Sequence, residues 1–159
     1  MLLIATALAG EVHEAALEHG TAYLGTPWAW NGQATTKNPG LGCMSLVFRS
    51  YSAATGTPRS RYPVNPSELV ASGLLGTEVA TIERGDEVPF QAGDVVYFLL
   101  EGVEIPDEPL HVEGDAKFWP WHMGLYAGEG LVLHAEPGGE VRHQPLDEIA
   151  WDRVLGTRP

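Results

Sequence analysis

Apolar and polar positions change rhythm once along this chain. Before "FQAGD" (90–94), apolar residues recur at three- and four-residue spacing; after it they run together or alternate. Residues 10–25, "GEVHEAALEHGTAYLG", put Val12, Ala16 and Leu17 on one stripe and Glu11, Glu14 and Glu18 elsewhere. That spacing predicts an amphipathic helix ending near Gly20 or Gly25. "TPWAWNGQATTKNPGLG" (26–42) reads as a loop by its Pro, Asn and Gly content. "CMSLVFRSYSAATG" (43–56) predicts a second helix through Leu46, Val47, Ser50, Tyr51 and Ala54, with Gly56 as its stop. In "NPSELVASG" (65–73), Asn65 as N-cap, Pro66 at the first helical position and Glu68 two residues later predict a third.

The second half reads as strands. "VVYFLL" (95–100) is a continuous β-rich run, as in a strand buried on both faces. Residues 101–121 carry three prolines and many acids and read as a long loop or insertion, whose Phe118, Trp119 and Trp121 could line a groove. "HMGLYA" and "LVLHA" form a hairpin, "EVRHQ" (140–144) a further strand, "PLDEIAW" (145–151) a short helix and "RVLGTR" a last strand. Helices first and an antiparallel sheet afterwards predict an α+β fold, in one domain over residues 1–159.

The hairpin register can be argued from burial. A three-residue loop at 128–130 pairs Ala127 with Leu131 and Leu125 with Leu133. One face then becomes wholly apolar: Met123, Leu125, Ala127, Leu131, Leu133 and Ala135. The other carries His122, Gly124, Tyr126, Val132 and His134. A one-residue slip would mix the two sets. In this register His122 and His134 are diagonal neighbours, within side-chain reach. Such a pair is a base with its orienting partner, two metal ligands, or two half-buried structural residues. The remaining histidines, His13, His19, His111 and His143, have no partner that spacing supplies and read as surface residues. Asp94 reads as a turn or cap residue.

Composition narrows the classes. The formal net charge is −12, from 21 acidic and 9 basic residues, which argues against a nucleic-acid or anionic-membrane binder. The acidic run within 101–113 reads as a solvated face. No apolar run reaches the ~20 residues of a membrane span. "MLLIATALAG" resembles the apolar part of an export signal without its basic start, or else leads into the first helix. The single cysteine, Cys43, excludes a disulfide framework. It is either a small buried thiol or, at a helix start, a thiol whose pKa the unpaired N–H groups and helix dipole lower.

Five segments in order resemble the NlpC-type cell-wall cysteine peptidases: "TPWAWNG" (26–32), "GCMS" (42–45), "GDVVYF" (93–98), "HMGLY" (122–126) and "VLHA" (132–135), followed by the similar tail "QPLDEIAWDRVLGTR". The resemblance implies a papain-like fold with helices packed on the sheet, and no cofactor. It implies Cys43 as nucleophile, His122 as general base and later acid, and His134 as the group orienting His122. It also implies a peptidoglycan or cell-wall peptide substrate and an exported or envelope location. Trp28, Trp30, Ser45 and Trp121 are the candidate substrate-binding residues. The chain departs from the family at Gly42, where an aspartate that helps hold a substrate amine is usual, and at Met44, Ser45, Asn31 and Trp28. Two other readings stand beside a cysteine hydrolase acting through an acyl-enzyme. One is a zinc site of Cys43, His122 and His134; the other is a non-catalytic cell-wall binding module on the same fold.

Overall fold

A computed structural model describes the backbone of residues 2–159 and the side chains from residue 10 onward. Three helices, α1 (Leu2–Thr21), α2 (Cys43–Thr55) and α3 (Pro66–Ser72), precede all seven strands. The strands are β1 (Thr77–Ile82), β2 (Val95–Glu101), β3 (His111–Glu113), β4 (Ala116–Gly128), β5 (Leu131–Ala135), β6 (Val141–Pro145) and β7 (Arg153–Arg158). They form one antiparallel sheet in the order β1-β7-β2-β4-β5-β6, with β3 on the far part of β4. The α+β architecture is the predicted one. Helix α1 begins at Leu2, so backbone 2–9 belongs to the helix; the side chains of residues 1–9, on which the export reading turns, lie outside the described residues.

Both faces of the sheet are buried, as the unbroken apolar run of β2 requires. Val95, Tyr97, Leu99, Met123, Leu125 and Leu133 pack with Ala16, Leu46, Val47 and Tyr51 of the helices. Val96, Phe98, Tyr126, Val132 and Val154 pack on the opposite side with Phe90, Leu146, Ile149 and Trp151. Helix α2 ends at Gly56, which takes the left-handed conformation (φ 76°) expected of a C-terminal glycine.

Several details differ from the sequence reading. Leu125 pairs with Leu133 and Tyr126 with Val132, but Leu131 pairs with Gly128 instead of Ala127. Ala127 is an extra residue on β4, the turn is Glu129-Gly130, and Leu131 is exposed. A two-residue turn with both φ positive matches strand twist better than the three-residue loop. The 101–121 segment is only half loop, because β3 and the first part of β4 pair as a hairpin and bury Phe118 and Trp119. The short helix expected at 145–151 is a single 3₁₀ turn, Leu146–Glu148. The Asn65 side chain does not cap α3. Asp107 accepts from the Ser67 N–H at 2.9 Å and also takes the Ser67 hydroxyl, so the loop after β2 holds the start of α3.

His13 is not a surface residue. It is 4% exposed, with Nδ1 3.3 Å from the Tyr51 hydroxyl, which itself donates to the Gly93 carbonyl at 2.8 Å. Asp94, fully buried, accepts the Gln91 N–H and a two-pronged contact from Arg158 at 2.9 and 2.7 Å. This polar knot ties α1 and α2 to the turn before β2 and to the end of β7.

Candidate active site

The loop before α2 is held by crossings that only small residues permit. A Cβ on Gly40 would sit 2.3 Å from the Ala29 Cβ, so the two arms of the loop touch there. Trp28 and Gln33 both bridge to Leu41, and the Gln33 amide donates to the Ser45 hydroxyl at 2.9 Å. Asn31 is in the left-handed region, φ 54°, which asparagine tolerates. These contacts deliver Gly42 in an extended conformation as the N-cap of α2, with no side chain bonded to the cap. The first intrahelical bond runs from the Leu46 N–H to the Gly42 carbonyl, which leaves the N–H groups of the first turn outside the helical ladder.

The N–H groups of Cys43, Met44 and Met123 act on the Cys43 thiol and pull its pKa down, but burial outweighs them and pushes it up. The net direction is upward, opposite to the lowering expected from the helix start alone. Among the described residues no hydrogen bond joins the thiol to His122. The two line one cleft, and Met123, whose N–H acts on the thiol, directly follows His122 in β4.

His122 and His134 do meet. His122 Nε2 lies 2.7 Å from His134 Nδ1, and His134 Nε2 lies 2.8 Å from Gln144 Oε1. The Gln144 amide nitrogen donates to the Glu148 carbonyl at 3.4 Å, which fixes its oxygen toward His134. That oxygen can only accept, so His134 carries its proton on Nε2. Its Nδ1 must then accept from the Nε2–H of His122. Nδ1 of His122 is left with a free lone pair. Burial, with the neighbouring His134 second, lowers the His122 pKa to about 3, and burial lowers that of His134. Both rings are neutral near pH 7.

The sheet makes room for this pair. A Cβ on Gly124 would lie 2.8 Å from the Leu133 carbonyl and 3.1 Å from the His134 Cβ. Phe98 pairs with His122 and Leu99 with Pro120, so Trp121 is an extra residue. This bulge lets the Trp121 ring stack on His122 at 5.0 Å while its indole N–H donates to the Ala150 carbonyl at 2.8 Å.

The cleft has a volume of about 550 Å³, within the range of small-molecule sites. All four residues expected to touch substrate, Trp28, Trp30, Ser45 and Trp121, line it beside Cys43 and His122. His134 stands behind His122 and does not line it. Sequence reasoning missed Val64, Pro66 and Pro137 in the walls, and it missed Gln144. Gln144 carried one usable signal, its position on a strand next to the histidine strand. The zinc arrangement is not formed. Both His134 nitrogens and His122 Nε2 are engaged in the hydrogen-bond chain, and among the described residues no cluster of three His, Cys, Asp or Glu could hold a metal.

The NlpC/P60 family profile matches residues 25–157. Among solved structures, the NlpC/p60 domain of the peptidoglycan hydrolase SagA superposes with a TM-score of 0.59 at 19% identity, covering 92% of this chain and 98% of that one. The peptidoglycan hydrolase RipB from Mycobacterium tuberculosis gives 0.61 at 17% identity, over 96% of this chain and 66% of that one. RipD from the same organism, described as a non-catalytic NlpC/p60 domain protein adapted to peptidoglycan binding, gives 0.56 at 16% identity, over 92% and 96%. No curated protein matches the chain. Together with the profile match over most of its length, the helices on an antiparallel sheet and the cysteine at the head of α2 place this chain in the NlpC/P60 family.

Proposed function

We propose that the whole chain acts as one cysteine hydrolase domain, cleaving amide bonds in cell-wall peptides at the cell envelope. The observation that carries this reading is the chain Gln144–His134–His122, which leaves a free imidazole lone pair in the cleft that holds Cys43. In the resting site the thiol and both imidazoles are neutral, so His122 works as a general base during attack. Its Nδ1 takes the thiol proton as Sγ bonds to the amide carbonyl carbon. The Cys43 N–H, outside the helical ladder, stabilises the oxyanion. His122 then passes the proton to the leaving nitrogen and the C–N bond breaks, giving a thioester and a free amine. Water, deprotonated by His122, attacks the thioester; the acid leaves and the thiol is restored. His134 keeps the ring oriented and stabilises the imidazolium that forms.

The test is digestion of purified peptidoglycan with mass analysis of the fragments. Release of new amino and carboxyl termini by the native chain, and none by Cys43→Ala, is the expected result. Equal release by both proteins overturns the proposal. The absence of a hydrogen bond between thiol and His122 favours a second reading, a binding module using the same cleft. Retention on peptidoglycan without any cleavage would select it.

A further inference from the structure

The cleft around Cys43 is built almost wholly from neutral side chains. Among the described residues that line it there is no Asp, Glu, Lys or Arg. Its walls are aromatic and aliphatic: Trp28, Trp30, Trp121, Val64, Pro66 and Pro137. Trp30 and Val64 are 80% and 72% exposed. Large apolar groups left this open at the edge of a cleft mark a surface built for an apolar ligand.

Charged side chains reach the residues behind these walls without entering the lining. Arg49 and Arg59 both bond Gln33, the residue behind Ser45. Asp107 is held by Ser67 at the start of α3. Burial keeps the Cys43 thiol and the Tyr97 phenol protonated and the His122 ring neutral. A carboxylate or ammonium seated against these walls would give up part of its water and find no charged side chain in the lining to replace it. The net charge of −12 adds a repulsive field against anions.

We infer that the cleft selects amides whose groups next to the scissile bond are uncharged and apolar, and rejects those bearing a carboxylate or an ammonium there. This rests on the hydrolase reading above and narrows its substrate. A cell-wall peptide would fit where its flanking carboxylates are amidated and its amines acylated.

Three coumarin amides of equal chain length test it: hexanoyl, adipoyl (a terminal carboxylate) and aminohexanoyl (a terminal ammonium). Turnover is measured with the native chain, and binding of the intact amides by calorimetry with Cys43→Ala. The hexanoyl amide is expected to lead both charged amides by at least about tenfold, in kcat/KM and in affinity. In Val64→Lys, a surface change at the cleft edge, the adipoyl amide should gain about tenfold relative to hexanoyl. Equal or better binding of either charged amide to Cys43→Ala overturns the inference, as does failure of the hexanoyl amide to bind at all. Selective binding without turnover upholds the neutral cleft and counts against the hydrolase reading. Turnover that prefers a charged amide does the reverse.

Discussion

The imidazole of His122 meets that of His134 edge-on, at an interplanar angle of 81°, with Nε2 2.7 Å from Nδ1. Because Gln144 accepts from the far nitrogen of His134, the proton positions of both rings are set by an amide two strands away. In the proposed mechanism Gln144 is thus a positioning residue. Replacing it with Ala should lower kcat about tenfold with KM little changed, the cost of one lost hydrogen bond. Gln144→Glu offers a charged acceptor that stabilises the imidazolium, so the acid limb of kcat/KM should move to higher pH. A Gln144→Glu profile that coincides with the native one removes the positioning role.

The thiol should behave as a thiol. Burial raises the Cys43 pKa above its ordinary value, so alkylation by iodoacetamide should be slow at neutral pH and accelerate above about pH 9. A fast plateau between pH 5 and 8, the mark of a preformed thiolate, would contradict this.

His122 is neutral down to about pH 3 in the folded chain. The proposed base is therefore competent across the mildly acid range, and kcat/KM should show no fall near pH 6.5 on its account. Replacing His122 with Ala should cost about 10²- to 10⁴-fold in kcat, and thermal melting at pH 7 checks that the variant is folded.

Stability should decline in acid. His13, His122 and His134 all have folded pKa values below the unfolded value of 6.5. Above that pH both states are neutral. As pH falls below 6.5, the unfolded chain binds protons that the folded chain refuses, at up to about 1.4 kcal/mol per pH unit for each histidine. Melting temperature measured from pH 7 to 4 should drop progressively, and His13→Gln should flatten the slope.

Gly124→Ala tests the close approach under His134. A methyl 2.8 Å from the Leu133 carbonyl must push β4 and β5 apart, at a cost of about 1–3 kcal/mol. Activity should fall further than stability explains, because the His122–His134 contact spans the same two strands. Urea unfolding and kcat measured on one preparation separate the two effects.

Much of the fold was legible because the signals were local. Helix α2 announces itself by its period and by Gly56, and the His122–His134 pairing follows from the two faces of one hairpin. The stretch 101–121 was misread because Pro120 and the mixed pattern around it disguise β4. The bulge at Trp121 is what lets the strand carry them. Asp107 as the holder of α3, His13 as a buried partner of Tyr51, and Gln144 behind His134 all join residues far apart in sequence, and no periodicity records such pairs.

The sequence by itself determined the order of elements, the faces of the hairpin and the candidates for the chemistry, since period and side-chain type act over a few residues. Only the tertiary structure decided their state. Burial is a property of the whole packed chain, and it pushes the pKa of the Cys43 thiol up and those of both histidines down. Strand order placed Gln144 where it sets their protons. The meeting of α2, the loop at 26–42 and β4 produced a cleft with no charged side chain in its lining, because only the fold brings those segments together.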